Sequence, residues 1–330
     1  MKLLLAAVAG VCAAAAQAPP RIGDINIYGL HRVRANRVLA AAGLRPGGAL
    51  PASKAELELA IERVSDVLMA RVEGVCCDGS DAVVFIGIAE RGGAQPAFLS
   101  PPAGSARLPD ELIGTYNSFL DAVARAAVEG RAGEDFTAGH SEMDDPAVRA
   151  IQQRFEVFAA EHLDWLRDVL RSGPEPEERA MAAAIIGYAS AKAKVVDDLQ
   201  SALQDSDEEV RANALRSLNA IAVYAAKHPE AGIRISATWM VELLNSIALN
   251  DRLGAANALV ILTDKANPQA LALIRERGRA ALAEMARWKT LRYALPPFLL
   301  LGRVAGIPEE QIHQAWEKGD RETVIRRALR

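Results

Sequence analysis

Residues 199–222 read LQSALQDSDEEVRANALRSLNAIA. Val210, Ala214 and Leu218 recur every fourth residue, the spacing that puts apolar side chains on one face of a helix. The polar break around Asp205 reads as a turn between two helices. Ser206 and Glu209 form the signature of a capping box at the start of the second one. The phrase Ala212-Asn213-Ala214-Leu215 returns as Ala256-Asn257-Ala258-Leu259, and Glu178-Arg179 followed by Ala182 echoes Val210-Arg211 followed by Ala214. Asn267-Pro268 and Pro308-Glu309 mark further helix starts. Self-similarity at a period of about 40–47 residues is the mark of a helical repeat array.

The order of an aspartate at the turn (Asp205), then Val210-Arg211, then Ala214 and Leu218, resembles a HEAT repeat. The resemblance implies an α-solenoid over 173–330, in which each repeat buries its face only against its neighbours. It also implies that Asp205 and Arg211 belong to the structure of the repeat turn, with the Arg211 guanidinium paired to an acid such as Asp205. Arg216 and Asn219 point outward on the same helix. They are the candidate residues for contacting a protein or peptide partner in the groove of the solenoid.

Composition fits this reading. Of 330 residues, 51% are hydrophobic but only 5% aromatic, so the apolar mass is small and aliphatic. Alanine is the best helix former, and its small side chain lets helices approach closely. Upstream, residues 20–91 switch pattern. Ile22, Ile25 and Ile27 suit a strand, and Val38 to Ala42 a helix ending at Gly43. Ser53 and Glu56 cap a second helix through Leu57, Ile61 and Val64. Arg71–Cys77 and Ala82–Ala89 are β-rich runs about an Asp78-Gly79-Ser80-Asp81 turn. The order is β-α-α-β-β. Together, INIYGLHRVRANRVLAAAGLRPGGAL and the closing VVFIGIAE resemble a POTRA domain. That resemblance implies a module that takes up peptide by strand addition at a sheet edge. Residues 92–109 are rich in Gly, Pro and Ser and read as a linker. Residues 110–172 read as a helical connecting region, with one helix over Glu111–Glu129 and one long helix from Asp145-Pro146 to about Leu170. The expected fold class is mostly α: a small β-α-α-β-β, POTRA-like N-terminal domain followed by a HEAT-like α-solenoid.

Residues 1–18 read as a signal peptide. Lys2 precedes the apolar run Leu3–Ala16, and small residues allow cleavage after Ala16 or Ala18. The expectation is an exported protein, periplasmic if the source is Gram-negative. It is envelope-associated without a transmembrane span in the mature form. The net charge of −4 and a pI near 5.9 give no general attraction to nucleic acid.

The chemistry-bearing residues are few. No H-E-x-x-H, G-x-S-x-G, Walker A or G-x-G-x-x-G motif occurs, and no cofactor or metal is expected. The densest acid–histidine cluster is Glu134, Asp135, His140, Glu142, Asp144 and Asp145, with Asp144 and Asp145 also suited to cap the next helix. Cys76 and Cys77 are a candidate redox pair. Packed thiols, a vicinal disulfide and an exposed redox thiol all stay open for them. Arg279, Arg287, Lys289 and Arg292 with Trp288 and Tyr293 read as a solvated helix face over buried aromatics. The expected function is an exported, non-enzymatic protein–protein interaction adaptor or scaffold. The alternatives are a metal-dependent enzyme using the Glu134–Asp145 loop and a purely structural envelope protein.

Overall fold

The computed structural model describes residues 20–78, 81–265 and 267–330. The signal reading at 1–18 and the side chains of Cys76 and Cys77 lie outside the described part.

The N-terminal elements are β1 (Ile22–Tyr28), α1 (Ala35–Ala42), α2 (Lys54–Glu62), β2 (Val67–Asp78) and β3 (Asp81–Glu90), in the β-α-α-β-β order. Ser53 caps α2 by accepting from the Glu56 N–H, and Gly43 closes α1 in the left-handed conformation at φ 65°. The sheet order is β1-β3-β2, with β1 parallel and β2 antiparallel to β3. As the central strand, β3 is covered on both sides. Val84, Ile86 and Ile88 face α1 and α2, and Val83 and Phe85 face the helical region. That two-sided burial explains why β3 reads as an unbroken apolar run rather than an alternation.

Residues 92–109 form an ordered strap without regular secondary structure. The Leu99 N–H donates to the Gln204 carbonyl at 2.8 Å. The Leu108 N–H donates to Glu178 at 2.6 Å, and the Trp165 indole to the Arg107 carbonyl at 2.8 Å. The strap leads into α3 (Asp110–Val128), a two-strand hairpin of β4 (Glu134–Asp135) and β5 (Glu142–Met143), and α4 (Pro146–Glu161). Asp145 caps α4 and Pro146 takes its first position. The long helix expected through Leu170 is two: α4 ends at His162, whose φ of −129° breaks the turn, and α5 (Leu163–Ser172) follows.

Thereafter come α6 (Pro176–Ile186), α7 (Lys192–Ala202), α8 (Glu208–Lys227), α9 (Thr238–Leu243), α10 (Leu249–Thr263) and α11 (Pro268–Leu273). A π turn over Ile274–Gly278 joins α11 to α12 (Arg279–Ala286), followed by α13 (Leu291–Val304), α14 (Glu309–Glu317) and α15 (Arg321–Leu329). One layer stacks α6, α8, α10 and α13 in succession, and α5, α7 and α9 pack outside it. Alanines at the contacts (Ala182, Ala214, Ala255, Ala256, Ala258) are buried, so the small-residue composition is the packing of the repeat stack. Among the described residues no helix is long and apolar enough to cross a membrane.

A ladder of buried arginines ties the stack together, and it corrects the pairing expected at the turn. Arg211 does not meet the Asp205 carboxylate. It forks onto Asp251 of the next repeat at 2.8–3.1 Å and donates to the carbonyls of Asp205 and Ser206. The Asp205 carboxylate is taken by Arg179, which likewise donates to the carbonyls of Gly173 and Pro174. Arg252 continues the pattern with the Ser246 carbonyl and Glu284. Each rung joins the turn before its own helix to an acid one repeat on. The structural counterpart of Arg211 is therefore Arg252, 41 residues on rather than 44. The repeated Ala-Asn-Ala-Leu phrase is displaced from that register by about one helical turn, where the same face recurs. The cap of α8 also differs: Asp207, not Ser206, accepts from the N–H groups of Glu209 and Val210.

The small domain sits on this stack. The Tyr28 hydroxyl donates to the Ile247 carbonyl at 2.8 Å, and the Phe85 and Trp288 rings meet edge-on at 5.0 Å. Trp288 is buried there, while Lys289 on the adjoining surface pairs with Asp24 at 2.8 Å. At the far end of β3, the buried Glu90 carboxylate accepts from the backbone N–H groups of His31, Arg32 and Val33. Burial raises its pKa, but those three donors outweigh burial and hold it below the usual range.

Candidate functional site

A groove runs between α8 and α10, with the β4–β5 hairpin at its rim. Asn213, Arg216 and Asn219 follow one another at three-residue spacing along α8, and Asn250 and Asn257 face them from α10. The cavity measures about 550 Å³. Asn213 serves the scaffold, donating to the Ala180 carbonyl at 2.9 Å and the Tyr116 hydroxyl at 3.3 Å. Arg216 is half exposed and ion-paired to Glu134, which also accepts from the Ser141 hydroxyl. The Asn219 side-chain oxygen is buried and has no hydrogen-bond partner among the described residues. The two residues chosen from the sequence as partner contacts, Arg216 and Asn219, thus line the same groove.

Arg216 and Asn213 also line an adjoining apolar pocket of about 180 Å³, walled by Tyr116, Phe119, Val123, Phe155 and Tyr188. His140 stands at its polar end, packed on the Tyr188 ring at 4.9 Å. Its Nδ1 lies 3.2 Å from the Lys192 ammonium, which donates to the Gly187 carbonyl at 2.7 Å. Burial, and then the nearby ammonium, push the His140 imidazole down to about 4. Burial pushes Lys192 down to about 8, against the pull of Glu156.

The acidic loop does not converge as a whole. Asp145 caps α4 and pairs with Arg131. Asp135 accepts from Thr137, and Glu134 is engaged with Ser141 and Arg216. Of the six residues only His140 and Glu142 bring possible ligand atoms to one point, and Glu156 of α4 completes the group. Glu156 and Lys192 gave no sign in the sequence, because a lone charge on an amphipathic helix looks like any solvated position.

The His140 environment predicts acid sensitivity. Because the folded imidazole is depressed from 6.5 to about 4, the unfolded chain takes up a proton that the folded one refuses as pH falls through this window. This group leaves stability nearly unchanged above pH 6.5 and lowers it by on the order of 2 kcal/mol as pH falls from 6.5 towards 4, the flanking Glu142 and Glu156 carboxylates offsetting part of the burial cost. Urea melts at pH 7 and pH 4.5 in metal-free buffer will show this drop. It will be smaller in His140→Gln, and an equal drop in both proteins would refute the assignment.

Residues 163–232 match the family model of HEAT repeats. The matched span holds α5 to α8, the Arg179–Asp205 rung of the arginine ladder and the arginine of the next, Arg211. Among solved structures, the chain is similar to a designed armadillo repeat protein, at 17% identity over 56% of this chain and 93% of that one, with a TM-score of 0.34. None of the curated proteins matches the chain. HEAT repeat solenoids are typical of protein-interaction scaffolds, because stacked repeats present an extended concave surface.

Beside the HEAT repeats, the edges of the small sheet are partly occupied. On the outer edge of β2, the N–H groups of Ala70 and Val72 donate to the Glu62 and Glu58 carboxylates of α2, at 3.0 and 2.8 Å. Where β1 begins, Ile22 exchanges hydrogen bonds with Gly47 and Gly48. Such blocking of edge donors is a common defence against unwanted pairing. A second cleft, of about 530 Å³, lies between β2, the strap and the starts of α8 and α10. Phe98 of the strap lies in it over the Arg211 guanidinium, at 3.8 Å.

Proposed function

We propose that this chain is an exported, non-enzymatic protein-interaction scaffold that holds an extended peptide segment of its partner in the groove between α8 and α10. The observation that carries the reading is the buried, unpartnered Asn219 oxygen beside the half-exposed Arg216. A buried acceptor without a donor costs roughly 1–3 kcal/mol, and a backbone N–H of a bound peptide removes that cost once the Asn219 amide turns into the groove. The adjoining aromatic pocket is sized for one apolar side chain of the same peptide.

The order and mixed sheet of residues 21–91 support the POTRA-like reading of the small domain. Strand addition receives less support, because a peptide pairing with β2 must first displace Glu58 and Glu62. Export rests on the leader pattern at 1–18, and a reporter enzyme active only outside the cytoplasm, fused behind those residues, tests it.

Deleting residues 20–91 would not separate the two binding modes, since it strips Phe85 and Tyr28 from Trp288. Point variants of the full chain do so. Panning a random-peptide display library on the protein should enrich peptides whose binding falls at least tenfold, about 1.4 kcal/mol, in Asn219→Ala and Arg216→Glu. Enriched peptides indifferent to both substitutions, or no enrichment at all, would refute the groove reading.

A further inference from the structure

We propose that His140, Glu142 and Glu156 bind a divalent transition-metal ion, with zinc the ion that suits one imidazole and two carboxylates. His140 Nε2 lies 3.4 Å from a Glu156 oxygen and 3.7 Å from a Glu142 oxygen. All three ligand atoms fall within 4.8 Å of one another. Zinc held at about 2.1 Å in tetrahedral geometry sets its ligand atoms about 3.4 Å apart, close to the two distances from His140 Nε2 to the carboxylates.

The second observation is the nitrogen itself. Nε2 is sealed from solvent and makes no hydrogen bond among the described residues, although two carboxylates flank it. The ring is 12% exposed, and its orientation is fixed from the other side. Lys192 meets Nδ1, Gly187 anchors Lys192, and Tyr188 packs on the face. Outer contacts of this kind orient the ligands of metal sites. The two carboxylates are nearly half exposed, so an ion enters from solvent and keeps a position open to water.

The protons balance. The metal displaces the Nε2 proton, which leaves for solvent, while Lys192 passes one proton to Nδ1. The resulting amine accepts from Nδ1–H. An ion bound here joins the β4–β5 hairpin to α4 at the mouth of the aromatic pocket. Nothing in this site depends on the peptide reading of the groove.

Zinc titration of the chelator-treated full chain, carrying Cys12→Ser, Cys76→Ser and Cys77→Ser to remove its three thiols, tests the proposal by calorimetry. One ion per chain is expected. Its affinity should fall at least tenfold in Glu156→Gln, Glu142→Gln and His140→Gln, and hold in Asp135→Asn. Both glutamates are surface positions, so their variants keep the test valid should His140→Gln fail to fold. X-ray absorption of the zinc form should show one imidazole and only nitrogen or oxygen ligands. No saturable zinc binding, binding insensitive to both glutamate variants, or calcium binding in place of zinc would overturn the site.

Discussion

Replacing Arg211 by alanine is expected to destabilise the protein by about 3–5 kcal/mol, the usual cost of breaking a buried ion pair from one side. The guanidinium is 4% exposed and its partner Asp251 is 0% exposed. Without Arg211 the Asp251 carboxylate keeps, among the described residues, only the Ser246 hydroxyl, at 2.6 Å. The carbonyls of Asp205 and Ser206 lose their donor, and the Phe98 ring loses its cation. Arg211→Lys should recover less than half of this loss, because one ammonium cannot serve a forked carboxylate and two carbonyls together. Replacing both partners, Arg211→Met with Asp251→Leu, should be milder than Arg211→Ala, since no buried charge is left alone. Chemical denaturation of the four proteins decides this. A loss under 1 kcal/mol for Arg211→Ala would mean that the ladder does not hold the stack.

Gly87→Ala is expected to separate the small domain from the solenoid. A Cβ at Gly87 would lie 2.1 Å from the Ile247 carbonyl oxygen and 2.8 Å from the Tyr28 ring. The nearest obstacle is backbone, which cannot swing aside as a side-chain end does. Relief requires β3 to move away from the turn between α9 and α10, breaking the Tyr28–Ile247 hydrogen bond and the Phe85–Trp288 contact. The cost should be about 3 kcal/mol, the upper end for overpacking. Hydrogen exchange should quicken in β3 and in the segment around Trp288. Gly43→Ala is the control: its φ is 65°, but no atom lies within 4 Å of the added carbon. It should cost about 1 kcal/mol from backbone strain and leave exchange around Trp288 unchanged. Equal protection of Trp288 in both variants would show that the two parts are not docked through Gly87.

Local features were legible from the sequence. The Ser53 cap, the Gly43 terminus, the Asp145-Pro146 start and the apolar face of Val210, Ala214 and Leu218 depend on residues within a few positions of each other. That Arg216 and Asn219 share one face of α8 follows from helical spacing alone, but only Arg216 points outward; the Asn219 side-chain oxygen is buried. The cap of α8 was misread by one residue because Ser206 and Asp207 both suit that place. The long helix was read through His162 because helical periodicity continues across a one-residue break.

The tertiary structure decided which groups meet. Arg211 finds Asp251, and Arg179 finds Asp205, because stacking sets turn against turn at a distance in sequence that no local pattern encodes. Glu156 and Lys192 reach His140 for the same reason. The strap at 92–109 has a linker's composition yet is held by Gln204, Glu178 and Trp165, contacts made only once the helices have stacked. By itself the sequence determined helices, strands, caps and the repeat, through periodicity and backbone preference. Docking of β3 on the solenoid, the arginine ladder and the His140–Glu142–Glu156 cluster were set by packing, because burial and charge pairing act between elements far apart in the chain.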